Sequence, residues 1–195
     1  MPLGANKAAI MGVAGVSAGA DVVLLYDTDH SNAVSASITS GITSTYGEYI
    51  FKFYNINPAT DQQNFTFQTS TDGGSSYGMT ATTTFFRARH NEADSLASID
   101  YRGEDEAQVT SFLKLTLGVG NGADESLAGE LHLFNPASTT YMKHFYSRIN
   151  FYEGADSPMD AFVSGFIDST SDVDAIQFKM TSGNFDGTIN MWGVK

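Results

Sequence analysis

The sequence predicts an all-β fold: an antiparallel, jelly-roll-like β-sandwich over residues 21–195, preceded by an extended N-terminal arm over residues 1–20. Three observations predict it. Ser and Thr make up about a fifth of the 195 residues, Gly adds 19 and only 16% are charged, which suits short strands and tight turns better than Glu-, Lys- and Ala-rich helical surfaces. Apolar and polar residues alternate with period two at 49–54, 112–117 and 189–194, as in half-buried strands. Turn residues separate such runs throughout, giving about nine or ten candidate strands and no amphipathic helix longer than two turns.

Composition also limits function. With 42% hydrophobic and 12% aromatic residues the chain can bury a core. No apolar stretch approaches the ~20 residues of a membrane-spanning helix. Ten Lys and Arg against 22 Asp and Glu give a formal charge of -12, the wrong sign for phosphate backbones or anionic lipid, so neither nucleic acid nor membrane is expected as a partner. There is no cysteine, hence no disulfide framework, thiol nucleophile or thiolate metal site.

Along the chain, MPLGANKAAIMGVAGVSAGA (1–20) carries one charge, Lys7, and no period; Gly12 and Gly15 dilute its apolar run, leaving a weak export signal. It reads as an assembly arm whose small residues allow close backbone contact. Asp21 to Asp27 forms a β-branched strand, a polar loop follows, and 33–42 alternates weakly. In GEYIFKFYNI, Tyr49, Phe51 and Phe53 point one way and Ile50, Lys52 and Tyr54 the other. Pro58 and Asp61 mark a turn, Phe65 and Phe67 share one face of the next strand, and Asp72-Gly73-Gly74 marks another turn. A β-branched and aromatic strand covers 80–90, whereas 91–109 is acidic and aperiodic, a long surface loop with room for one helical turn. Leu113, Leu115 and Leu117 alternate with Phe112, Lys114 and Thr116. Leu131 and Leu133 then alternate with His132 and Phe134, a turn falls at 135–138, and a strand runs from Thr140 to Tyr152. The string Asn-Pro-Ala occurs at 57–59 and 135–137 between aromatic-rich runs, predicting two related hairpins of the kind found in Greek-key windings. A strand at 162–169 and a strand pair about Ser182-Gly183-Asn184 close the chain.

Candidate chemistry is sparse. Asp27-Thr28-Asp29-His30 offers oxygen and nitrogen ligands but lacks the Gly and distal Glu of a calcium loop, so it reads as a solvated polar turn. His132 and His144 flank one turn and can face each other across the predicted hairpin, yet with no third ligand they read as packing residues. Gly103-Glu104-Asp105-Glu106 presents adjacent acids, not two carboxylates held about 5–10 Å apart across a cleft; it reads as a solvated acidic loop. No nucleophile elbow, phosphate loop, dinucleotide fingerprint or zinc-protease motif is present. Tyr46, Tyr49, Tyr54, Tyr77, Tyr141, Tyr146, Tyr152 and Trp192 fit either a sugar-stacking platform or, better, sandwich packing and an oligomer interface. The expectation is a protein with no catalytic, cofactor or metal site, and no enzyme.

Four strings carry a resemblance: MPLGANKAA, TFQTSTDGGSSY, AGELHLFNPASTTYMKHFY and the closing IQFKMTSGNFDGTINMWGVK. Over nearly the whole chain they resemble a group of small virion-associated structural proteins of tailed bacteriophages, marine ones in particular. The resemblance transfers no catalytic residue. It implies a non-enzymatic module on the virion exterior, either capsid decoration or a tail or fibre component, held to capsid or tail proteins by its arm and a sheet edge. It also implies a homo-oligomer, commonly a trimer, and allows a host-surface glycan as partner. The charge of -12 agrees with an outer layer, since a genome-facing protein would be basic. The alternative class is a secreted carbohydrate-binding, lectin-like module with the same fold and exposed aromatics.

Overall fold

A computed structural model describes residues 21–154 and 157–195; the arm expected over 1–20 lies outside the described residues. Every regular element among these is a strand: β1 (Val22–Ala33), β2 (Ala36–Ile38), β3 (Glu48–Pro58), β4 (Phe65–Ser70), β5 (Ala81–His90), β6 (Ala97–Tyr101), β7 (Leu113–Lys114), β8 (Leu127–Phe134), β9 (Lys143–Glu153), β10 (Ser157–Ile167), β11 (Ala175–Met180) and β12 (Phe185–Val194). They form a β-sandwich of two antiparallel sheets, one of eight strands in the order β1-β12-β3-β8-β9-β10-β5-β6 and one of four in the order β2-β11-β4-β7. A jelly roll winds eight strands into two Greek keys; the described residues form twelve, divided unequally between the two sheets. Its first and last strands pair, with Val22 opposite Val194.

Period-two patterning explains the core. Tyr49, Phe51 and Phe53 of β3, Leu131 and Leu133 of β8, and Phe145, Ile149 and Phe151 of β9 are all buried on the inner face of the large sheet. They meet Phe65, Phe67, Ile176, Phe178 and Met180 of the small sheet. Phe178 sits at the centre, its ring 5.5 Å from Phe51, 5.2 Å from Phe53 and 5.8 Å from Phe65. Tyr49 is buried too because its hydroxyl is satisfied, donating to the Thr43 carbonyl at 2.8 Å and accepting the Thr43 N–H at 2.7 Å. In β4 even the polar positions are buried. Gln68 is the reason: its amide nitrogen lies within hydrogen-bond distance of the carbonyls of Met79, Thr110 and Ser111, at 2.9–3.2 Å, pinning two loop segments over the small sheet.

Several sequence expectations change. Residues 27–33 are strand rather than turn, because pairing with β12 overrides their weak β-propensity. Residues 97–101 form β6 inside the expected surface loop, held by the ladder from Phe86↔Tyr101 to His90↔Ala97. The alternating run 112–117 contributes only Leu113–Lys114 to a strand; beyond it, a threonine hydroxyl replaces a ladder bond, accepting the Phe65 N–H at 2.8 Å through Thr116 Oγ1. The two Asn-Pro-Ala segments also differ. That at 135–137 joins β8 to β9 in a hairpin, but that at 57–59 carries the chain from the large sheet to the small one. There Pro58 pairs with Phe185 and the Ala59 N–H donates to the Asn184 carbonyl at 2.8 Å, so the segment extends β3 along β12 instead of reversing.

Candidate functional site

A four-stranded sheet covers one side of an eight-stranded one, so the large sheet keeps an outer face with no partner among the described residues. One row crosses all eight strands: Tyr101, Phe86, Phe162, Arg148, Glu130, Lys52, Asn190 and Asp27 stand opposite each other in turn. It is apolar toward the β6 edge and polar toward β1. Phe86 and Phe162 lie with ring centroids 4.7 Å apart and planes 3° from parallel, about the spacing between neighbouring strands. Rings that close and parallel must stand on edge from the sheet. Arg148 follows in the stack, its guanidinium carbon 5.1 Å from the Phe162 centroid. At the free edge, Ile99 is 79% exposed, Tyr101 61% and Phe86 42%.

Beside the stack lies a groove of about 480 Å³. Ala128 and Gly129 of β8 form its floor, and Lys52, Tyr54, Glu130, Arg148, Asn150 and Asp160 surround it. Arg148 forks onto Asp160, with Nε and Nη2 donating to Oδ2 at 3.0 and 2.7 Å. Lys52 Nζ stands 3.9 Å from Glu130. The Asn150 amide nitrogen donates to the Met159 carbonyl at 3.0 Å, leaving its oxygen free to accept. At the Tyr54 end both ladders of β3 break register: against β12 between Asp186 and Thr188, and against β8 between Phe53 and Ile56 of β3 itself. Asn55 takes φ of 50° and Gly187 takes φ of 129° there. A Cβ on Gly187 would lie 2.6 Å from the Asn55 carbonyl oxygen, so the bulge demands glycine.

His132 occupies the neighbouring row. Its Nδ1 is 2.5 Å from Glu48 and its Nε2 is 3.3 Å from Glu130, the latter without hydrogen-bond alignment. Its ring stacks on Tyr146 at 4.4 Å. Burial, reinforced by the carboxylates of Glu48 and Glu130, pushes the Tyr146 phenol above its ordinary range. His132 and His144 do not face each other across the hairpin, because the register sets His132 opposite Tyr146 and places His144 opposite Phe166.

The other candidates scatter. In β1 the side chains of Asp27 and Asp29 alternate with those of Thr28 and His30: Asp29 accepts from the Thr188 hydroxyl at 2.6 Å, while the His30 ring lies 5.5 Å from Phe185, where burial lowers its pKa. Glu104 pairs with Arg102, Asp105 accepts from the Tyr101 hydroxyl and Glu106 pairs with Lys114, so each acid has its own partner and the run is less solvated than expected. Among the described residues no three His, Asp or Glu converge as metal ligands. Of the aromatic set, Tyr54, Tyr146, Tyr152 and Trp192 share the outer face, Tyr49 is core, and Tyr46 packs flat over Gly193, whose Cβ would come within 2.5 Å of its ring. Tyr77 lies near Phe112, and Tyr141 is exposed on the β8–β9 connection. Sequence reasoning singled out Tyr54 but missed Lys52, Ala128, Glu130, Arg148, Asn150 and Asp160. Alternation alone places them on the side of their strands away from the core. Comparison of the chain with protein-family models, curated proteins and solved structures found no match.

Proposed function

We propose that this chain is a non-enzymatic structural module of a tailed-phage virion exterior, in capsid decoration or in a tail or fibre, that assembles as a homo-oligomer. The observation that carries the reading is the exposed apolar cluster of Ile99, Tyr101 and Phe86 at the β6 edge of an uncovered face. A contiguous apolar patch on a free sheet edge is costly in water and marks an interaction surface. The mixed charges around Arg148 supply the polar rim typical of such interfaces. The likeness of the four strings quoted above to virion-associated proteins, together with the charge of -12, supports an exterior place. Residues 1–20 serve in this reading as the attachment arm.

Light scattering on purified protein should report an oligomer, with a trimer as the leading expectation, that Ile99→Lys converts to monomer without loss of the β-type circular dichroism. Deleting residues 1–20 should leave the sandwich folded and reduce incorporation of tagged protein into particles. A concentration-independent monomer that never co-purifies with particles would remove the reading. The second reading, a secreted carbohydrate-binding module, is favoured by the polar groove beside Tyr54; it predicts glycan binding without particle association.

A further inference from the structure

We infer that the groove over Ala128 is a binding site for an uncharged glycan. The inference rests on reading the outer face as a recognition surface, and particle association is scored separately so that either can fail alone. Shape comes first. At about 480 Å³ the groove falls in the size range of small-ligand sites. Ala128 faces outward near the start of β8, between Asn150 of β9 and the β3 bulge, so the floor there is nearly bare backbone.

Charge then selects the ligand. The chain carries -12, but this site balances two cations, Lys52 and Arg148, against two carboxylates, Glu130 and Asp160. An anion would meet Glu130 and Asp160, and a cation would meet Lys52 and Arg148. A polyhydroxyl ligand suits both sets, because each hydroxyl donates once and accepts as well.

Hydrogen-bonding capacity is left over for it. Arg148 commits Nε and Nη2 to Asp160 and keeps Nη1 free. Lys52 Nζ is beyond hydrogen-bond distance of Glu130, and the Asn150 amide oxygen has no donor. Tyr54, 43% exposed, offers an aromatic ring at the end of the groove, and the bulge built on Asn55 and Gly187 adjoins it in the chain. Bulges commonly re-aim a side chain beside a functional site. The arrangement joins an aromatic ring, planar hydrogen-bonding side chains and a bare floor within one neutral pocket.

The test is a glycan array followed by titration calorimetry of the full chain. Neutral oligosaccharides ending in glucose, galactose, mannose or N-acetylglucosamine are compared with sialylated and sulfated counterparts. Binding to at least one neutral series is expected, with affinity lowered tenfold or more by Tyr54→Ala and by Asn150→Ala. Ala128→Phe fills the groove without removing a polar group and should abolish binding. All three sites are exposed, and an unchanged melting temperature checks that each variant folds. Preference for the charged series, binding that survives Ala128→Phe, or no binding to any member overturns the inference. Particle incorporation of the Ala128→Phe variant, measured in parallel, addresses the virion reading independently.

Discussion

Two residues show how single side chains close this fold where no ladder does. Lys143 is fully buried, and its ammonium donates to the carbonyls of Ser138, Tyr141 and Ser169 at 2.5, 3.1 and 3.0 Å. It ties the β8–β9 connection to the segment that follows β10, and burial lowers its pKa. Lys143→Met keeps much of the volume but leaves three carbonyls without their donor, at a cost of about 1–3 kcal/mol, read as a lower urea midpoint with unchanged slope. Asp72 organises the Gly73-Gly74 turn: its carboxylate accepts from the hydroxyls of Ser70 and Ser76, both at 2.5 Å, and from the Ser76 N–H at 2.9 Å. Those bonds, the one from Ser70 first, hold its pKa down to about 2 from 3.8. The folded-state pKa lies below the unfolded one, so the stabilisation is complete above pH 3.8 and is lost as the pH falls toward 2. Asp72→Asn should therefore flatten the decline in melting temperature between pH 4 and 2 relative to the parent protein, and an unchanged decline would remove Asp72 as its cause.

Among the elements, β3 was the most legible from sequence and β6 the least, and burial explains the difference. In β3 the apolar residues of one parity all enter the core, so period two appears in the sequence. In β6 the apolar residues Ile99 and Tyr101 face solvent, and Asp100 takes the other side against Arg87, 3.3 Å away. Its strand character comes from pairing with β5, which no local pattern announces. The groove was illegible for a related reason: it draws one to three residues from each of β3, β8, β9 and β10, and only the register brings them together. Its distorted end is testable through Gly187. In Gly187→Ala the new Cβ would meet the Asn55 oxygen at 2.6 Å and the Ile56 Cα at 2.8 Å, both backbone atoms, at φ of 129°. Such strain costs roughly 1–3 kcal/mol. The expected result is a lower melting temperature together with amide chemical-shift changes centred on 54–56; a substitution that is silent in both would show that the bulge does not need glycine.

At the scale of the whole molecule, topology makes stability depend on the last strand. β12 lies between β1 and β3 and pairs with both along most of its length. Its Ile189 and Met191 are buried against the small sheet, as is Phe185. Without residues 185–195 the first strand has no partner in the large sheet, and the inner face of β3 loses its neighbour on that side. Seven of the ten strand pairings join strands remote in sequence, the β1–β12 ladder most of all, and only β5–β6, β8–β9 and β9–β10 are hairpins among the described residues; sandwiches of this kind fold slowly, in about milliseconds to seconds. A chain truncated after Asn184 should therefore fail to unfold cooperatively and should bind a hydrophobic dye at neutral pH. Adding the 185–195 segment as a separate peptide should restore part of the cooperative transition by inserting between β1 and β3, as strand complementation does in other sheets. A truncated chain that melts cooperatively at the parent temperature would mean that β3 onward is self-sufficient, with β1 and β12 an appended ribbon on an independent core.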